Sequence, residues 1–304
     1  MNILSLDVGG TFIKWGVMNE RAEMLKQGKV ATPRTCLDDF LISIEEIVEV
    51  NQNFLIAGLS FSLPGTMDSL TGDIIHGGSL RYLDGLNFYD LLQNKFSMNS
   101  QIENDARCAA LAEMQLGNLR NVKNGLAFIL GTGVGGAIVI NGEIYSGSNL
   151  YAGEFSLMVS STLENGRRHF LGDDLSVPSL VENVRQQLKL EDLTGESMME
   201  LVVSGNSDAK KIYIDYINRV VNSLISLQFV FSPDKIVIGG GISQDDYFVD
   251  SVIQNYNRFF EAIPSPKGLK HAEITRCRFA NDANLIGSFI NYQTKSENIE
   301  SSDI

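Results

Sequence analysis

The sequence predicts an α/β protein built from two lobes, and three observations support this prediction. The chain has 304 residues, which exceeds the size of one typical domain. Apolar runs that are typical of strands are interleaved with runs of helical spacing. Each half also opens with strand, glycine bend and strand, which indicates a weak internal repeat of architecture.

The first half predicts a three-stranded start followed by alternating helices and strands. Acidic residues near the start of the first helix suit its macrodipole. Pro64 and Gly65 end a buried strand, and Gly117 ends the second helix. The predicted elements are strands at 2–7, 12–18 and 24–30, a helix in CLDDFLISIEEIVEV, a strand in FLIAGLSFSLPG, and a strand end followed by a helix in IENDARCAALAEMQLG.

The second half repeats this theme. Residues 207–231 predict a long helix, because apolar residues such as Ile212, Tyr216 and Val220 recur at helical spacing. The other predicted elements are three strands joined by a glycine bend and an Asn-Gly turn in NGLAFILGTGVGGAIVINGEIYSG, a strand in KIVIGGGIS followed by a helix, a strand in HAEITRCRFA, and a closing helix in NDANLIGSFINYQ.

Composition excludes several classes of protein. The formal net charge of −13, without clusters of Lys or Arg, argues against a general binder of nucleic acid or anionic membranes. The three cysteines, Cys36, Cys108 and Cys277, are odd in number and far apart in the sequence, which argues against a disulfide framework. Neither a signal peptide nor a transmembrane span is visible in the sequence, so we expect a cytoplasmic enzyme.

The glycine bends are the first candidates for binding a nucleotide. The chain lacks a G-x-x-x-x-G-K-[ST] motif, which excludes a P-loop. Residues 131–136 fit G-x-G-x-x-G, but a dinucleotide fingerprint must open a helix, and the β-branched run AIVINGEIY predicts a strand. Either bend alone is explained by an ordinary tight turn. Because both carry a threonine (Thr11 and Thr132), we interpret them together as a clamp for phosphate.

Six motifs in this order resemble the ROK family, whose name stands for repressors, open reading frames and kinases. They extend from Asn2 to about Gly287 and read LDVGGTFIK, LPGTMD, ENDARCAALAE, GTGVGGAIVINGEIYSG, AGEFSLM and IVIGGGIS. The resemblance implies a two-lobed, actin-like ATPase (ribonuclease H-like) fold with the active site in the interdomain cleft. It implies an N-terminal lobe of residues 1–117, on which a C-terminal helix at 283–304 packs back. Residues 118–282 would form the C-terminal lobe with the nucleotide-binding elements.

The resemblance also implies roles for individual residues and a need for ATP and Mg²⁺. Asp7 would orient magnesium through water, and Asp105 would be the catalytic base. The predicted sugar contacts are Gly65, Asn104, Asp105 and Glu154. The predicted ATP contacts are Asp7, Gly9, Gly10, Thr11, Gly131, Thr132, Gly133, Gly239, Gly240 and Gly241.

Each polar residue of this set has a simpler alternative role. Asp105 begins a predicted helix, where an N-cap is ordinary, although the helix dipole would also keep a catalytic carboxylate ionised. Asn104 suits a turn as well as a sugar hydroxyl, and Glu154 suits plain solvent exposure in a glycine-rich loop. Lys14 would reach a phosphate or pair with a carboxylate, so we leave it outside the catalytic set.

The sequence departs from the family where many ROK kinases have a histidine and a cysteine-rich zinc loop. Leu157 takes the histidine position, and the stretch VSSTLENGRRHFLGDDLSVPSL contains no cysteine. His169 lacks a partner at zinc spacing, so we predict no structural zinc. In the family this histidine helps to hold the anomeric end of the sugar, and an apolar leucine favours a sugar whose anomeric hydroxyl is capped.

The predicted function is ATP-dependent phosphorylation of the 6-hydroxyl of a glucose-type sugar by a β-glucoside kinase or glucokinase. The alternatives are an N-acetylmannosamine kinase, a fructokinase, or a sugar-responsive regulator without catalysis. The chain starts directly at the first phosphate motif, without the DNA-binding extension of ROK repressors, which favours the kinase. We expect a homodimer whose partner is a small sugar, with no nucleic acid or membrane.

Overall fold

The protein is described by a computed structural model that covers residues 2–162, 166–263 and 270–302. The chain divides into two compact units. Unit 1 consists of Met1–Gly117, Gly147–Tyr151 and Asn281–Ile304, and unit 2 consists of Asn118–Ser146 and Ala152–Ala280. No helix in the described part of the chain is both long enough and apolar enough to cross a membrane.

Unit 1 contains a five-stranded sheet in the order β3-β2-β1-β4-β7. Strands β1, β2 and β3 are antiparallel neighbours, whereas β1, β4 and β7 run parallel, so their carboxyl ends lie at one edge of the sheet. The elements up to residue 117 are β1 (Asn2–Val8), β2 (Phe12–Met18), β3 (Met24–Ala31), α1 (Leu37–Glu49), β4 (Ile56–Leu63), β5 (Thr66–Met67), β6 (Ile74–His76), α2 (Phe88–Phe96), β7 (Asn99–Asn104) and α3 (Asp105–Leu116).

Unit 2 repeats this topology in a second sheet, in the order β10-β9-β8-β13-β14. Again the first three strands of the unit are antiparallel and β8, β13 and β14 run parallel. The elements are β8 (Gly125–Leu130), β9 (Val134–Ile140), β10 (Glu143–Tyr145), β11 (Val159–Thr162), β12 (Arg168–Phe170), α4 (Leu171–Asp174), α5 (Val177–Leu188), α6 (Gly195–Val203), α7 (Ser207–Phe231), β13 (Lys235–Gly239), α8 (Asp246–Ala262) and β14 (Glu273–Arg276).

The last helix, α9 (Ala283–Ser302), belongs to unit 1. Its side chains Phe289 and Tyr292 pack in a buried cluster with Ile3 and Met18 of the sheet. A Cβ at Gly287 would overlap the carbonyl of Cys108 on α3, so this glycine allows the two helices to approach closely. Residues 303 and 304, which the predicted helix 283–304 includes, lie outside the described residues.

The strands predicted for the two halves form the two five-stranded sheets, and the predicted helices are present beside them. The long helix α7 has the predicted bounds. Sequence analysis did not predict the helices α2, α4, α5 and α6 or the short strands β5, β6, β11 and β12. Two of these helices carry local signals: Ser176 caps α5 and precedes a proline in its first turn, and Thr194 and Ser197 form a capping box on α6.

Candidate active site

Three predicted site residues lie at or just beyond the carboxyl ends of adjacent strands of the unit 1 sheet. Asp7 on β1 pairs in register with Ser62 on β4, and Leu63 on β4 pairs with Asn104 on β7. Gly65 follows β4 two residues later. In open α/β sheets, ligands bind at the carboxyl ends of the strands, where loops leave the sheet. Unit 1 therefore presents Asp7, Gly65 and Asn104 at an edge suited to a ligand.

The first glycine bend is a tight turn whose carbonyls are tied back to the protein. The N–H of Gly9 donates to the carbonyl of Phe12 at 3.0 Å, which closes the turn between β1 and β2. Thr32 Oγ1 donates to the Gly9 carbonyl at 2.7 Å, and Arg34 Nε donates to the Gly10 carbonyl at 2.6 Å. With its carbonyls occupied in this way, the turn suits the approach of an anion. The predicted phosphate contacts in this turn are Gly9, Gly10 and Thr11.

Asp7 is a buried carboxylate with defined partners on three sides. Only 7% of the residue is exposed. Its Oδ1 accepts hydrogen bonds from Asn284 Nδ2 at 3.0 Å and Ser62 Oγ at 3.2 Å, and its Oδ2 lies 3.8 Å from Lys14 Nζ. Burial raises the pKa of Asp7, and the bond from Asn284 and the charge of Lys14 offset part of this rise. Sequence analysis missed Asn284, which lies near the other end of the chain.

The side-chain amide of Asn104 fixes the start of α3 through both its oxygen and its nitrogen. Its Oδ1 accepts from the N–H groups of Ala106 at 3.0 Å and Arg107 at 3.1 Å, and its Nδ2 donates to the carbonyl of Gly65 at 2.9 Å. Gly65 has φ of +95° and no room for a Cβ, because His76 and Gly78 backbone atoms fill that space. Asn104 therefore keeps one N–H for a further partner.

Asp105 is the first helical residue of α3 and not its N-cap, because Asn104 takes that role. The alternative role of Asp105 as the helix cap is therefore wrong. Its Oδ1 accepts from the N–H of Ala106 at 2.7 Å, and the helix N-terminus favours the ionised carboxylate. Asp105 is partly exposed, whereas Asn104 is buried. The structure thus places a partly exposed carboxylate at the carboxyl edge of the unit 1 sheet.

The second glycine bend lies at the equivalent edge of unit 2. The N–H of Gly131 donates to the carbonyl of Gly133 at 3.0 Å, which closes a tight turn around Thr132. Ser156 Oγ accepts from the N–H of Val134 at 3.1 Å and leaves little room for a Cβ at Gly133. This bend leads into β9 and not into a helix, which agrees with the rejection of a dinucleotide fingerprint.

The predicted adenosine segment lies beside this bend within unit 2. Gly239 ends β13 and pairs in register with Ile129 on β8, one residue before β8 ends. Gly240 has φ of +88°, and a Cβ there would overlap the carbonyl of Leu130. A Cβ at Gly241 would meet no atom within 4 Å. The structure therefore brings Gly131, Thr132, Gly133, Gly239, Gly240 and Gly241 to one edge of one sheet.

Glu154 is positioned by two glycines that let the backbone pass close to β9. Gly153 has φ of +91°, and a Cβ there would lie 3.0 Å from the carbonyl oxygen of Gly136. At Gly136, a Cβ would overlap the ring of Phe155, which stacks on Phe128 at 5.6 Å. Glu154 lies in the sequence between these closely packed neighbours, Gly153 and Phe155, and is partly exposed. Leu157, three residues later, is 57% exposed.

The segment where many family members have the zinc loop contains the antiparallel strands β11 and β12. Its histidine, His169, lies with Nδ1 3.2 Å from Oδ1 of Asp174. No three His, Cys, Asp or Glu side chains gather as a metal site anywhere in the described ranges. Residues 163–165 of this segment lie outside them, so the absence of zinc stays a prediction.

Comparison with known proteins identifies close relatives over nearly the whole chain. Residues 3–295 match the ROK family. A β-glucoside kinase of Listeria monocytogenes is 28% identical over 296 residues, which cover 96% of this chain and 97% of that protein. An N-acetyl-D-glucosamine kinase of Haemophilus influenzae is 30% identical over 268 residues, covering 81% of this chain and 86% of that protein.

Solved structures give the same result. A ROK family protein of Streptococcus pneumoniae in complex with sucrose has a TM-score of 0.86 at 26% identity, and the match covers 98% of this chain and 100% of that one. A ROK family glucokinase of Streptomyces griseus in complex with glucose and AMPPNP has a TM-score of 0.80 at 21% identity, and the match covers 96% of this chain and 100% of that one. At this identity the similarity concerns the fold.

These comparisons confirm the predicted α/β fold of the actin-like ATPase superfamily. The names of the relatives confirm the prediction of a phosphotransferase that acts on a sugar hydroxyl. Because the family match spans almost the whole sequence, the chain belongs to the ROK family.

Proposed function

We propose that this protein is an ATP-dependent kinase that phosphorylates the 6-hydroxyl of a glucose-type sugar, with Asp105 as the catalytic base. The observation that carries this proposal is the start of α3. There Asn104 caps the helix, and the partly exposed carboxylate of Asp105 follows it in the first turn of α3, at the carboxyl edge of the sheet. Relatives named as sugar kinases supply the class of reaction.

In this proposal Asp105 orients the sugar hydroxyl and accepts its proton late. A sugar hydroxyl is far less acidic than a carboxylic acid, so full deprotonation before phosphoryl transfer is excluded. Proton transfer instead accompanies departure of the leaving group in a loose transition state. The remaining N–H of Asn104 donates to a hydroxyl of the same sugar, and Gly65 and Glu154 complete the proposed sugar contacts.

The two glycine bends bind the phosphates of ATP in this proposal, and Gly239 to Gly241 lie near its adenosine. ATP as the donor is supported by the kinase relatives, and the AMPPNP in the Streptomyces griseus glucokinase belongs to that protein. We extend the proposal to a cytoplasmic enzyme that acts as a homodimer.

Asp7 fits a magnesium ion held through water. Its Oδ2 has only the Lys14 ammonium near it in the described contacts, at 3.8 Å, whereas its Oδ1 already accepts two hydrogen bonds. Mg²⁺ in kinases is commonly held by one or two carboxylates, water and the phosphates of the nucleotide. When bound, the ion neutralises charge on the transferred phosphoryl group.

Within glucose-type sugars, we propose β-glucosides as the preferred substrates. Leu157 offers an exposed apolar side chain where many family members have histidine. A free anomeric hydroxyl beside this side chain would lose a polar partner, whereas the second ring or aglycone of a glucoside would not. The sequence relative named β-glucoside kinase supports this choice.

A coupled assay of ADP release tests the proposal. The panel contains glucose, cellobiose, an aryl β-glucoside, fructose, N-acetylglucosamine and N-acetylmannosamine, each with ATP and Mg²⁺. We expect turnover with a glucose-type sugar, the highest kcat/KM with a β-glucoside, and phosphate on the 6-hydroxyl of the non-reducing ring. Binding of these sugars without ADP release would instead indicate a sugar-responsive regulator.

A further inference from the structure

Arg107 is a buried arginine on α3, two residues after Asp105. Only 2% of it is exposed. Its Nη2 donates to the backbone carbonyl of Leu150 at 2.7 Å, and its Nη1 lies 3.6 Å from Oε1 of Glu103. Burying a charged side chain is costly unless its partners are in place. The position of Arg107 therefore depends on these two contacts.

The carboxylate of Glu103 already has other partners. Its Oε1 accepts from the N–H of Asn104 at 2.9 Å, and its Oε2 accepts from Ser69 Oγ at 2.9 Å. The separation of 3.6 Å between Arg107 and Glu103 is too long for a hydrogen bond, although the two charges attract each other. The short, directional bond of Arg107 is thus the one to Leu150.

Leu150 lies in a short loop with unusual backbone geometry. Gly147 has φ of +72° and Leu150 has φ of +66°, which is uncommon for a large side chain. The N–H of Leu150 donates to the carbonyl of Gly147 at 3.4 Å, and the N–H of Ala152 donates to that of Ser146 at 3.1 Å. Such a conformation costs free energy and persists only where surrounding contacts hold it. The bond from Arg107 is one such contact.

We propose that Arg107 is a positioning residue for sugar binding, which fixes the loop of residues 147–151 on the helix that begins with Asp105. The chain reaches Glu154 only four residues after Leu150. The helix α3 would then carry the catalytic carboxylate of Asp105 and also hold the loop from which the chain continues to Glu154. The inference rests on the proposed function for the roles of Asp105 and Glu154.

The simplest alternative is that Arg107 only neutralises Glu103, and two variants separate these roles. Arg107→Met removes the bond to Leu150 and leaves the buried carboxylate of Glu103 without the nearby positive charge. Glu103→Gln combined with Arg107→Met removes the anchor and the carboxylate charge together. We expect both variants to raise KM for cellobiose about tenfold, with KM for ATP unchanged, and the double variant to unfold at a higher temperature than the single one. Recovery of the wild-type KM for cellobiose in the double variant would overturn the proposal.

Hydrogen exchange on the protein without ligand tests the anchor independently of activity. The amides of Leu150 and Ala152 are hydrogen-bonded within the loop, and they should exchange at least about tenfold faster in both variants. Amides of α7 serve as the internal control and should not change. Unaltered exchange at the loop would refute the anchoring role. If the wild-type protein phosphorylates no sugar of the panel, the proposed function fails, but the exchange result still decides whether Arg107 holds the loop.

Discussion

Replacement of Asn104 by alanine tests the structural centre of the proposed site. The variant loses an N-cap, which is worth about 1 kcal/mol. It also leaves the carbonyl of Gly65, which is partly buried, without its donor, at a cost of about 1–3 kcal/mol. The expected loss in the free energy of unfolding is therefore about 2–4 kcal/mol. In the proposed function the variant also loses a donor to the sugar.

Asn87 provides a matched control in unit 1. Its Oδ1 caps α2 through the N–H of Asp90 at 3.0 Å, and its Nδ2 donates to the carbonyl of Thr71 and to Oδ1 of Asp73, both at 2.9 Å. Asn87 therefore makes the same two kinds of bond as Asn104 and one further bond to a carboxylate. These bonds are exposed, and water replaces much of what is lost. Asn87→Ala should therefore cost only about 1 kcal/mol and leave turnover unchanged.

Urea unfolding followed by tryptophan fluorescence measures both variants. The chain has one tryptophan, Trp15, which is buried in the core of unit 1 and reports on that unit. Activity is measured by ADP release, where Asn104→Ala should lower kcat/KM for the sugar at least about tenfold. Equal losses of stability in the two variants would refute the structural role of the bond to Gly65. Unchanged kcat/KM in Asn104→Ala would refute its role at the sugar.

Three further predictions concern the base, the metal ions and the substrate. Asp105→Asn should fold and bind sugar as the wild type does, but turn over at least ~10²-fold more slowly, and wild-type turnover would contradict its assignment as the base. The purified protein should contain no stoichiometric zinc and should need Mg²⁺ for activity, and one tightly bound zinc per chain by metal analysis would show the opposite. Competition kinetics should give cellobiose a higher kcat/KM than glucose, and Leu157→His should shift the preference towards glucose; a clear glucose preference of the wild type would exclude the glucoside proposal and leave the kinase intact.

The pH dependence of stability gives one more prediction, which rests on Asp7. Burial raises the pKa of this carboxyl in the folded protein above its value in the unfolded chain. In the folded protein the Asp7 carboxyl therefore keeps its proton to a higher pH than in the unfolded chain. The free energy of unfolding falls as the pH rises through the folded pKa, because ionising the buried carboxyl costs more than ionising it in the unfolded chain. Asp7→Asn removes the cost of ionising this buried carboxyl. In urea unfolding the variant should therefore gain stability relative to wild type as the pH rises from the pKa of the unfolded chain through the raised pKa of the folded protein, while losing activity. A difference that does not change with pH would contradict the argument.

Local signals in the sequence were sufficient to predict most of the fold. The bounds of α7 followed from its apolar spacing, and its first turn is capped by Asn206, whose Oδ1 accepts two backbone N–H groups. The glycine bends could be placed because strands of alternating or apolar character flank them. Such signals act over a few residues, where sequence spacing and spatial neighbourhood coincide.

Contacts between distant residues could not be predicted in the same way. Asn284 reaches Asp7 across 277 positions of the sequence, and Arg107 reaches Leu150 across 43. Both contacts depend on packing of whole elements, namely α9 against the sheet and the 147–151 loop against α3. Neither residue type nor spacing marks Asn284 as a partner of a buried carboxylate. The residues that surround and tune the site therefore emerged only from the three-dimensional structure.

The start of α3 shows how structure decides between alternatives that the sequence leaves open. Both Asn104 and Asp105 are good N-cap residues, and a helix start alone does not distinguish them. The bond from Asn104 to Gly65 fixes the amide in the capping orientation, because the Nδ2 of a flipped side chain could not accept from the backbone of Ala106. Gly65, by its positive φ, brings its carbonyl to the place where this bond forms. A glycine 39 positions upstream thus assigns the cap to Asn104, and Asp105 takes the first helical position of α3.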